Sequence, residues 1–207
     1  MLSTQYRFIY LHVSKTAGNT IQELILPFSD DRKEATLFRD GIERYDVVGP
    51  ITPHKHATLQ DYRDRMGVAA HDLFVFASVR EPAARAISYY FSPHRWARKA
   101  TDGTWFFAEP DWDAESFIAM LPTVKPVIDY FTVDGETRAF SDLVRMESLQ
   151  ADLHRVTRAL GLPISGDLPH RNRTLGHREL VEKARSDPGI VRAAQDHFAA
   201  DMAFLGY

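Results

Sequence analysis

Two short segments of the sequence combine positive charge, hydroxyl groups and glycine in a way that suits anion binding. The first segment reads HVSKTAGNT and contains Lys15, Thr16 and Thr20 around Gly18. Glycine permits close backbone approach, and the N–H groups at the start of a helix attract anions. The lysine precedes the glycine, so the segment is not a Walker A loop. Taken alone, the pattern also fits an ordinary turn with a surface lysine.

The second segment, VREPAARAISYY, follows a long apolar run. Arg80 stands at the end of that run, and Ser88 lies about two turns into a helix that Pro82 can begin. Arg80 or Arg85 could hold a phosphate group through two parallel hydrogen bonds. The alternative is that Arg80 pairs with Glu81 and that Arg85 is solvated. Considered together, the two segments suit a ligand with two separated anionic groups.

The elements that must position these segments alternate between strands and helices. LFVFASV is apolar without alternation, which is typical of a strand covered on both faces in a parallel sheet. Predicted strands cover residues 7–13, 73–79 and 143–146. Predicted helices cover residues 20–26, 82–91 and 149–160, and two more follow, with a break at 187–189. We therefore predict an α/β fold, in which ligands bind at the C-terminal ends of the parallel strands.

Composition sets further limits. A chain of 207 residues predicts one domain over residues 1–207. The net charge of −3 predicts no nucleic-acid partner, and the absence of cysteine excludes disulfides and thiolate metal sites. No apolar window is long enough to span a bilayer, so we expect no integral membrane segment and a cytoplasmic location. The oligomeric state cannot be inferred from the sequence.

The two segments resemble the donor-binding signatures of the sulfotransferases that use PAPS, 3′-phosphoadenosine-5′-phosphosulfate. The closest resemblance is to the carbohydrate sulfotransferases, the group that includes heparan sulfate 2-O-sulfotransferase. HVSKTAGNT is similar to I-P-K-T-G/A-G-T-S, with departures at Ser14 and Asn19. VREPAARAISYY is similar to V-R-[DNE]-P-x-x-R-x-x-S-x-Y. Weaker likenesses follow in SDLVRMESLQADL, LPHRNRT and DMAFLGY.

The resemblance implies a P-loop-like three-layer fold, with a central parallel sheet flanked by helices. It also implies PAPS as the donor, 3′,5′-ADP as the product, a hydroxyl-bearing acceptor of carbohydrate type and no metal. Its first segment would hold the 5′-phosphosulfate through Lys15, Thr16, Ala17, Gly18, Asn19 and Thr20. The 3′-phosphate would be held by Arg80 and Ser88, and Arg171 and Arg173 would lie near the nucleotide.

Three residues are candidates for catalysis. Lys15 could stabilise the charge that develops on the leaving oxygen. His54 and His56, in PHKHAT, could remove the acceptor proton, because imidazole titrates near neutral pH. The H-x-H pair is similar to that of the heparan 2-O-sulfotransferase group, and the HA pattern of related bacterial sequences favours His56. The alternative is a surface pair or an adventitious metal site.

The segment PHRWARKATDGTWFF could form an acceptor groove. Its cations are Arg95, Arg98 and Lys99, and its aromatic residues include Trp96, Trp105 and Phe106. The alternative is an amphipathic surface helix whose aromatic side chains pack inward.

Two other functions stay open. One is a P-loop kinase of a small metabolite, although a Walker A loop and a strand-end aspartate for Mg²⁺ are both missing from the sequence. The other is a non-catalytic nucleotide- or glycan-binding module of the same fold.

Overall fold

The computed structural model describes residues 1–37, 43–164, 166 and 177–207. The chain divides into two compact units. The first unit holds the described parts of residues 1–34, 45–80 and 127–171, and the second holds those of 35–44, 81–126 and 172–207. The expectation of one domain over residues 1–207 stays a prediction.

Strands and short helices alternate along the described chain. The strands are β1 (Leu2–Ser3), β2 (Phe8–Leu11), β3 (Arg32–Leu37), β4 (Glu43–Val48), β5 (Phe74–Val79), β6 (Ala97–Lys99), β7 (Trp105–Phe107), β8 (Thr132–Val133), β9 (Glu136–Thr137) and β10 (Asp142–Arg145). The α-helices are α1 (Gly18–Ile25), α2 (Leu59–Met66), α3 (Pro82–Tyr90), α4 (Pro93–Trp96), α5 (Ala114–Met120), α6 (Leu149–Ala159), α7 (Arg178–Arg185), α8 (Pro188–His197) and α9 (Ala199–Leu205). Within the described residues, no helix is long and apolar enough to cross a membrane.

A four-stranded sheet with the order β1-β2-β5-β10 forms the centre of the first unit. β2, β5 and β10 run parallel, and the short β1 is antiparallel to β2. Every residue of β2 is buried, as expected for a strand covered on both faces. The prediction of an α/β fold with a parallel sheet is thus confirmed for these three strands. Their C-terminal ends lie at the same edge, so the loops after β2 and β5 are neighbours.

The core of the first unit packs α1 and α6 against one face of this sheet. Phe8, Tyr10 and Phe76 extend from the sheet into a cluster that also contains Ile21 and Leu153. Pro27 lies in a 3₁₀ turn, Leu26–Phe28, directly after α1, as its position in the sequence predicts. The predicted strand and helix bounds therefore agree with the structure to within a few residues in this unit.

The second unit is helical, with α3, α5, α7 and α8 around one apolar cluster. Arg85 of α3 is 1% exposed and faces the fully buried Asp201 of α9, at 3.9 Å between Nη1 and Oδ2. Its Nη2 atom donates a hydrogen bond to the Lys125 carbonyl at 2.7 Å. The expectation that Arg85 is solvated or holds a phosphate is therefore wrong, because burial commits its guanidinium to internal partners.

Two further expectations about the second unit need correction. Three C-terminal helices are present among the described residues where two were predicted, because α8 and α9 are separated at Phe198. The segment PHRWARKATDGTWFF, for which an amphipathic helix was the alternative to an acceptor groove, is a four-residue helix, α4, followed by the β6–β7 hairpin. The hairpin turn is made by Asp102, whose carboxylate accepts from the Thr104 amide, and by Gly103 at φ 87°. The Asp-Gly pair in the sequence is the signal for this hairpin.

We expect Asp201→Asn to lower the free energy of unfolding by about 3 kcal/mol, because it removes the buried carboxylate that faces Arg85. Urea denaturation monitored by circular dichroism measures the change. Glu182→Gln is the control, since it alters the exposed pair with Arg185 and should change stability by less than about 0.5 kcal/mol. Equal effects of the two substitutions would contradict the structural role of the buried pair.

Candidate functional site

The loop between β2 and α1 has strained backbone geometry. Lys15 and Ala17 both adopt positive φ, at 68° and 64°. This left-handed conformation costs a residue with a side chain roughly 1–2 kcal/mol. Strain of this kind persists where the surrounding structure fixes it, and it concentrates at functional sites. The strain therefore points to a functional role for this loop beyond connecting β2 to α1.

The strained loop presents a run of free backbone donors. The Thr20 and Ile21 amides both donate to the Ala17 carbonyl and so begin α1. By contrast, the five amides of residues 15–19 donate to no acceptor in the part of the chain that the structure describes. A turn that leaves successive N–H groups free, directly before a helix N-terminus, has the donors that a phosphate or sulfate group requires.

The hydroxyl group of Thr16 has a different use from the predicted one. Thr16 is fully buried, and its Oγ1 atom donates to the Val13 carbonyl at 2.7 Å. Its oxygen also lies 2.7 Å from Ser78 Oγ, which lies 2.7 Å from Tyr10 Oη. Since each hydroxyl has one proton, Tyr10 donates to Ser78 and Ser78 donates to Thr16. This chain ties the loop to β5, so Thr16 can offer an anion its amide but not its hydroxyl.

Lys15 and Arg80 bring two positive charges to the same sheet edge. Burial, followed by the charge of the nearby Arg80 guanidinium, lowers the pKa of Lys15. Arg80 directly follows β5, which pairs in parallel with β2. Two partly desolvated cations repel each other, and an anion between them would remove that cost. Arg145, the last residue of β10, pairs with Val79 and so places a third cation at this edge, which the sequence analysis did not single out.

His56 is held in one tautomer by the backbone carbonyl of His12, the residue that follows β2. Its Nδ1 atom lies 2.9 Å from the carbonyl oxygen of His12. A carbonyl oxygen can only accept, so Nδ1 carries the proton and Nε2 has the free lone pair. Burial lowers the pKa of His56, partly opposed by this hydrogen bond. The imidazole is therefore neutral near pH 7 and able to accept a proton at Nε2.

The local sequence explains where the two predicted histidines lie. Thr58 and Asp61 form a capping box that fixes the start of α2, and the Lys55 amide donates to the Asp46 carboxylate of β4 at 2.6 Å. Between these anchors His56 turns toward β2, whereas His54 is exposed.

The sequence analysis missed His12, which the structure places beside His56. The His12 side chain is 4% exposed, and the two imidazole centroids are 4.6 Å apart. Burial lowers the pKa of His12 well below its usual value, so its ring is neutral. His12 is the first residue of HVSKTAGNT, and its position at a strand end was the available signal.

The structure tests the other predicted nucleotide-binding residues only in part. Ser88 is half-buried on α3 in the second unit, whereas Arg80 belongs to the first unit, at the end of its segment 45–80. Arg171 and Arg173 lie outside the described residues. The pairing of Arg80 with Ser88 around one phosphate and the two arginine contacts therefore stay predictions. Within the described ranges, no group of three or more His, Asp or Glu residues could hold a metal ion.

The segment PHRWARKATDGTWFF was predicted as an acceptor groove or, alternatively, as a helix with its aromatic side chains packed inward. Most of its aromatic side chains are exposed. On β7, Trp105, Phe106 and Phe107 are 41%, 48% and 49% exposed. Trp96 is the one of the segment's named aromatic residues that packs inward. It contacts the apolar cluster of the second unit and donates from Nε1 to the Tyr90 carbonyl. Beside the hairpin is an open cleft of about 430 Å³, lined by Tyr90, Arg95, Trp96, Arg98, Asp111, Asp113 and Ser116.

Comparison with known proteins adds the family. The model of the sulfotransferase family matches residues 1–104, half of the 207-residue chain. The chain therefore belongs to the sulfotransferase family, whose activity is sulfuryl transfer. The matched half contains the β2–α1 loop, both histidines of the H-x-H pair and Arg80. No curated protein and no solved structure matches the chain.

We expect Ser78→Ala to lower the free energy of unfolding by about 2 kcal/mol, because it leaves the buried Tyr10 hydroxyl without its acceptor. Thermal and urea denaturation measure the loss. Ser186→Ala, at the exposed end of α7, is the matched control and should stay within about 0.5 kcal/mol of the parent. A loss no larger than that of the control would show that the hydroxyl chain does not hold the loop.

Proposed function

We propose that this protein transfers a sulfuryl group from PAPS to a hydroxyl group of a carbohydrate acceptor. The observation that carries the proposal is the pair of cations, Lys15 and Arg80, at the ends of adjacent parallel strands beside the free amides of residues 15–19. Both positive charge and backbone donors are needed to hold a phosphosulfate group. The family membership supports the same chemistry.

The donor would be held at two points. The amides of residues 15–19 would bind the 5′-phosphosulfate, and α1 would add the positive end of its dipole. Arg80 and Ser88 would bind the 3′-phosphate, an assignment that rests on the sequence resemblance. The 3′-phosphate is the group that separates PAPS from ATP, so this second point would give the site its donor specificity.

Transfer requires an in-line displacement at sulfur. The acceptor oxygen forms a bond to sulfur while the bond from sulfur to the bridging 5′-phosphate oxygen breaks, and 3′,5′-ADP leaves. Negative charge grows on that bridging oxygen during the step. Lys15 would stabilise it more strongly in the transition state than in the bound donor, which accelerates the reaction.

The acceptor hydroxyl must lose its proton in the same reaction. His56 is suited to receive it at Nε2, because its Nδ1 proton is fixed by the His12 carbonyl and its ring is neutral at pH 7. His54 is the second candidate from the H-x-H pattern, but its exposed position leaves it without a comparable anchor in the described chain. A fixed tautomer argues for catalysis over the non-catalytic alternative.

The β6–β7 hairpin of the second unit would supply a sugar-binding surface. Exposed aromatic faces such as Trp105 can stack on sugar rings, and the nearby cleft offers both cations and carboxylates to hydroxyl groups. This mixture of aromatic, donor and acceptor groups suits a polyhydroxylated molecule. It supports the carbohydrate assignment within the broader class of hydroxyl-bearing acceptors.

Nucleotide binding tests the donor site. We expect 3′,5′-ADP to raise the melting temperature of the wild-type protein and ATP with Mg²⁺ to leave it unchanged. Lys15→Ala should weaken 3′,5′-ADP binding about 10-fold and reduce PAPS turnover about 100-fold, and Lys15→Arg should recover part of the binding. Isothermal titration calorimetry and the transfer of labelled sulfate to a panel of saccharides and simple alcohols measure these effects.

The control for Lys15 is Lys33→Ala, an exposed lysine of β3 paired with Glu23 at 3.9 Å. It should change neither binding nor turnover. Preference for ATP with Mg²⁺ would favour a metabolite kinase, and binding without transfer to any acceptor would favour a binding module. Transfer to simple alcohols but to no saccharide would support the proposed donor site and refute the carbohydrate acceptor.

The pH dependence of turnover tests the base. The lowered pKa of His56 means that activity should be full at neutral pH and should fall as the pH drops through a value below 6.5. His56→Gln should remove this acid limb and reduce turnover about 100-fold or more. Steady-state rates between pH 5 and 8 measure the profile. His71→Ala, an exposed histidine, is the control, and loss of the limb in His54→Ala instead would transfer the role to His54.

A further inference from the structure

The buried His12 contacts the anion-binding loop through its ring. A Cβ atom built on Gly18 would overlap the Cδ2 and Nε2 atoms of His12. Gly18 has no positive φ, so the backbone itself would accept alanine. The imidazole is therefore the reason that residue 18 must be glycine. It lies directly against Gly18, the first residue of α1, whose amide is one of those without an acceptor in the described chain.

The same residue also contacts the proposed base, in two ways. Its carbonyl oxygen accepts the His56 Nδ1 proton at 2.9 Å, and its ring lies 4.6 Å from the His56 ring, tilted by 42°. The hydrogen bond fixes the tautomer of His56, and the ring contact limits its rotation. Only the second of these depends on the side chain of residue 12, which makes the side chain separately testable.

The environment of the His12 ring favours a packing role over a charged one. Burial is the main cause of its lowered pKa, and the charges of His56, Lys55 and the terminal amino group add to it. Its Nδ1 atom is buried and accepts or donates no hydrogen bond within the described residues. The nearby Gln22 side chain opposes the lowering but does not outweigh burial. A buried, neutral ring with no partner at Nδ1 in the described chain acts mainly through its shape and position.

We propose that His12 is a positioning residue whose ring holds the phosphate-binding loop and His56 at a fixed spacing. This inference rests on the proposed function, in which the loop holds the donor and His56 receives the acceptor proton. In-line transfer requires the sulfur, the acceptor oxygen and the base to be aligned together, and small displacements reduce the rate strongly. One ring that contacts both groups sets that alignment.

Substitutions at His12 separate turnover from donor binding. His12→Ala should lower kcat at least 10-fold while changing the KM for PAPS less than 3-fold, because the hydroxyl chain through Ser78 still ties the loop to β5 and only its spacing from His56 changes. His12→Phe keeps a neutral ring, so it should recover kcat to within about 3-fold of wild type and preserve the acid limb of the pH profile. Wild-type kcat in His12→Ala would overturn the proposal, and so would a His12→Phe variant that folds but is as slow as His12→Ala.

A double substitution tests the contact itself, independently of turnover. Gly18→Ala should lower the melting temperature and weaken 3′,5′-ADP binding at least 10-fold, because the new methyl group meets the His12 ring. In the His12→Ala background the same change should have a much smaller effect on both quantities. Equal effects of Gly18→Ala in the two backgrounds would overturn the contact. If the wild-type protein neither binds 3′,5′-ADP nor uses PAPS, the proposed function fails, while the melting temperatures still decide the packing claim.

Discussion

The repulsion between Lys15 and Arg80 is the constraint on which the site depends. Because β2 and β5 pair in parallel, the loops that follow them start at the same edge of the sheet. Burial at this edge lowers the pKa of Lys15. Repulsion between like charges opposes this arrangement, and the left-handed residues of the loop add a separate cost. An anion bound between the two cations would reduce their repulsion, and a ligand that binds only the native state would raise its stability.

Buried polar contacts hold each of the two units together internally. In the first unit, the hydroxyl chain from Tyr10 through Ser78 to Thr16 ties the strained loop to the neighbouring strand. In the second unit, the pair of Arg85 and Asp201 joins two segments that resemble the sulfotransferase signatures. Arg85 lies in VREPAARAISYY and Asp201 begins DMAFLGY. Arg85 therefore acts on the position of α3, while Arg80, five residues earlier in the same motif, lies near Lys15 at the sheet edge. Residues of one motif can thus divide structural and binding roles.

Local patterns in the sequence were sufficient for most of the central sheet. The apolar run before Arg80 predicted β5 because a strand buried on both faces must be apolar throughout. Proline at positions 27 and 82 marked a helix end and a helix start because its ring restricts the backbone. The β6–β7 hairpin was missed, although its Asp-Gly turn is a local signal, because the cations and aromatic residues around it also fit a helical surface.

The sequence by itself determined the family, the order of the strands and helices around the site, and the presence of a cation after each of two buried strands. Only the tertiary structure decided which groups are free to act. It placed the Thr16 hydroxyl inward, gave His56 its tautomer and set His12 against both His56 and the β2–α1 loop. The physical reason is that burial and hydrogen-bond partners come from segments far apart in the chain, such as His12 and His56, which only folding brings together.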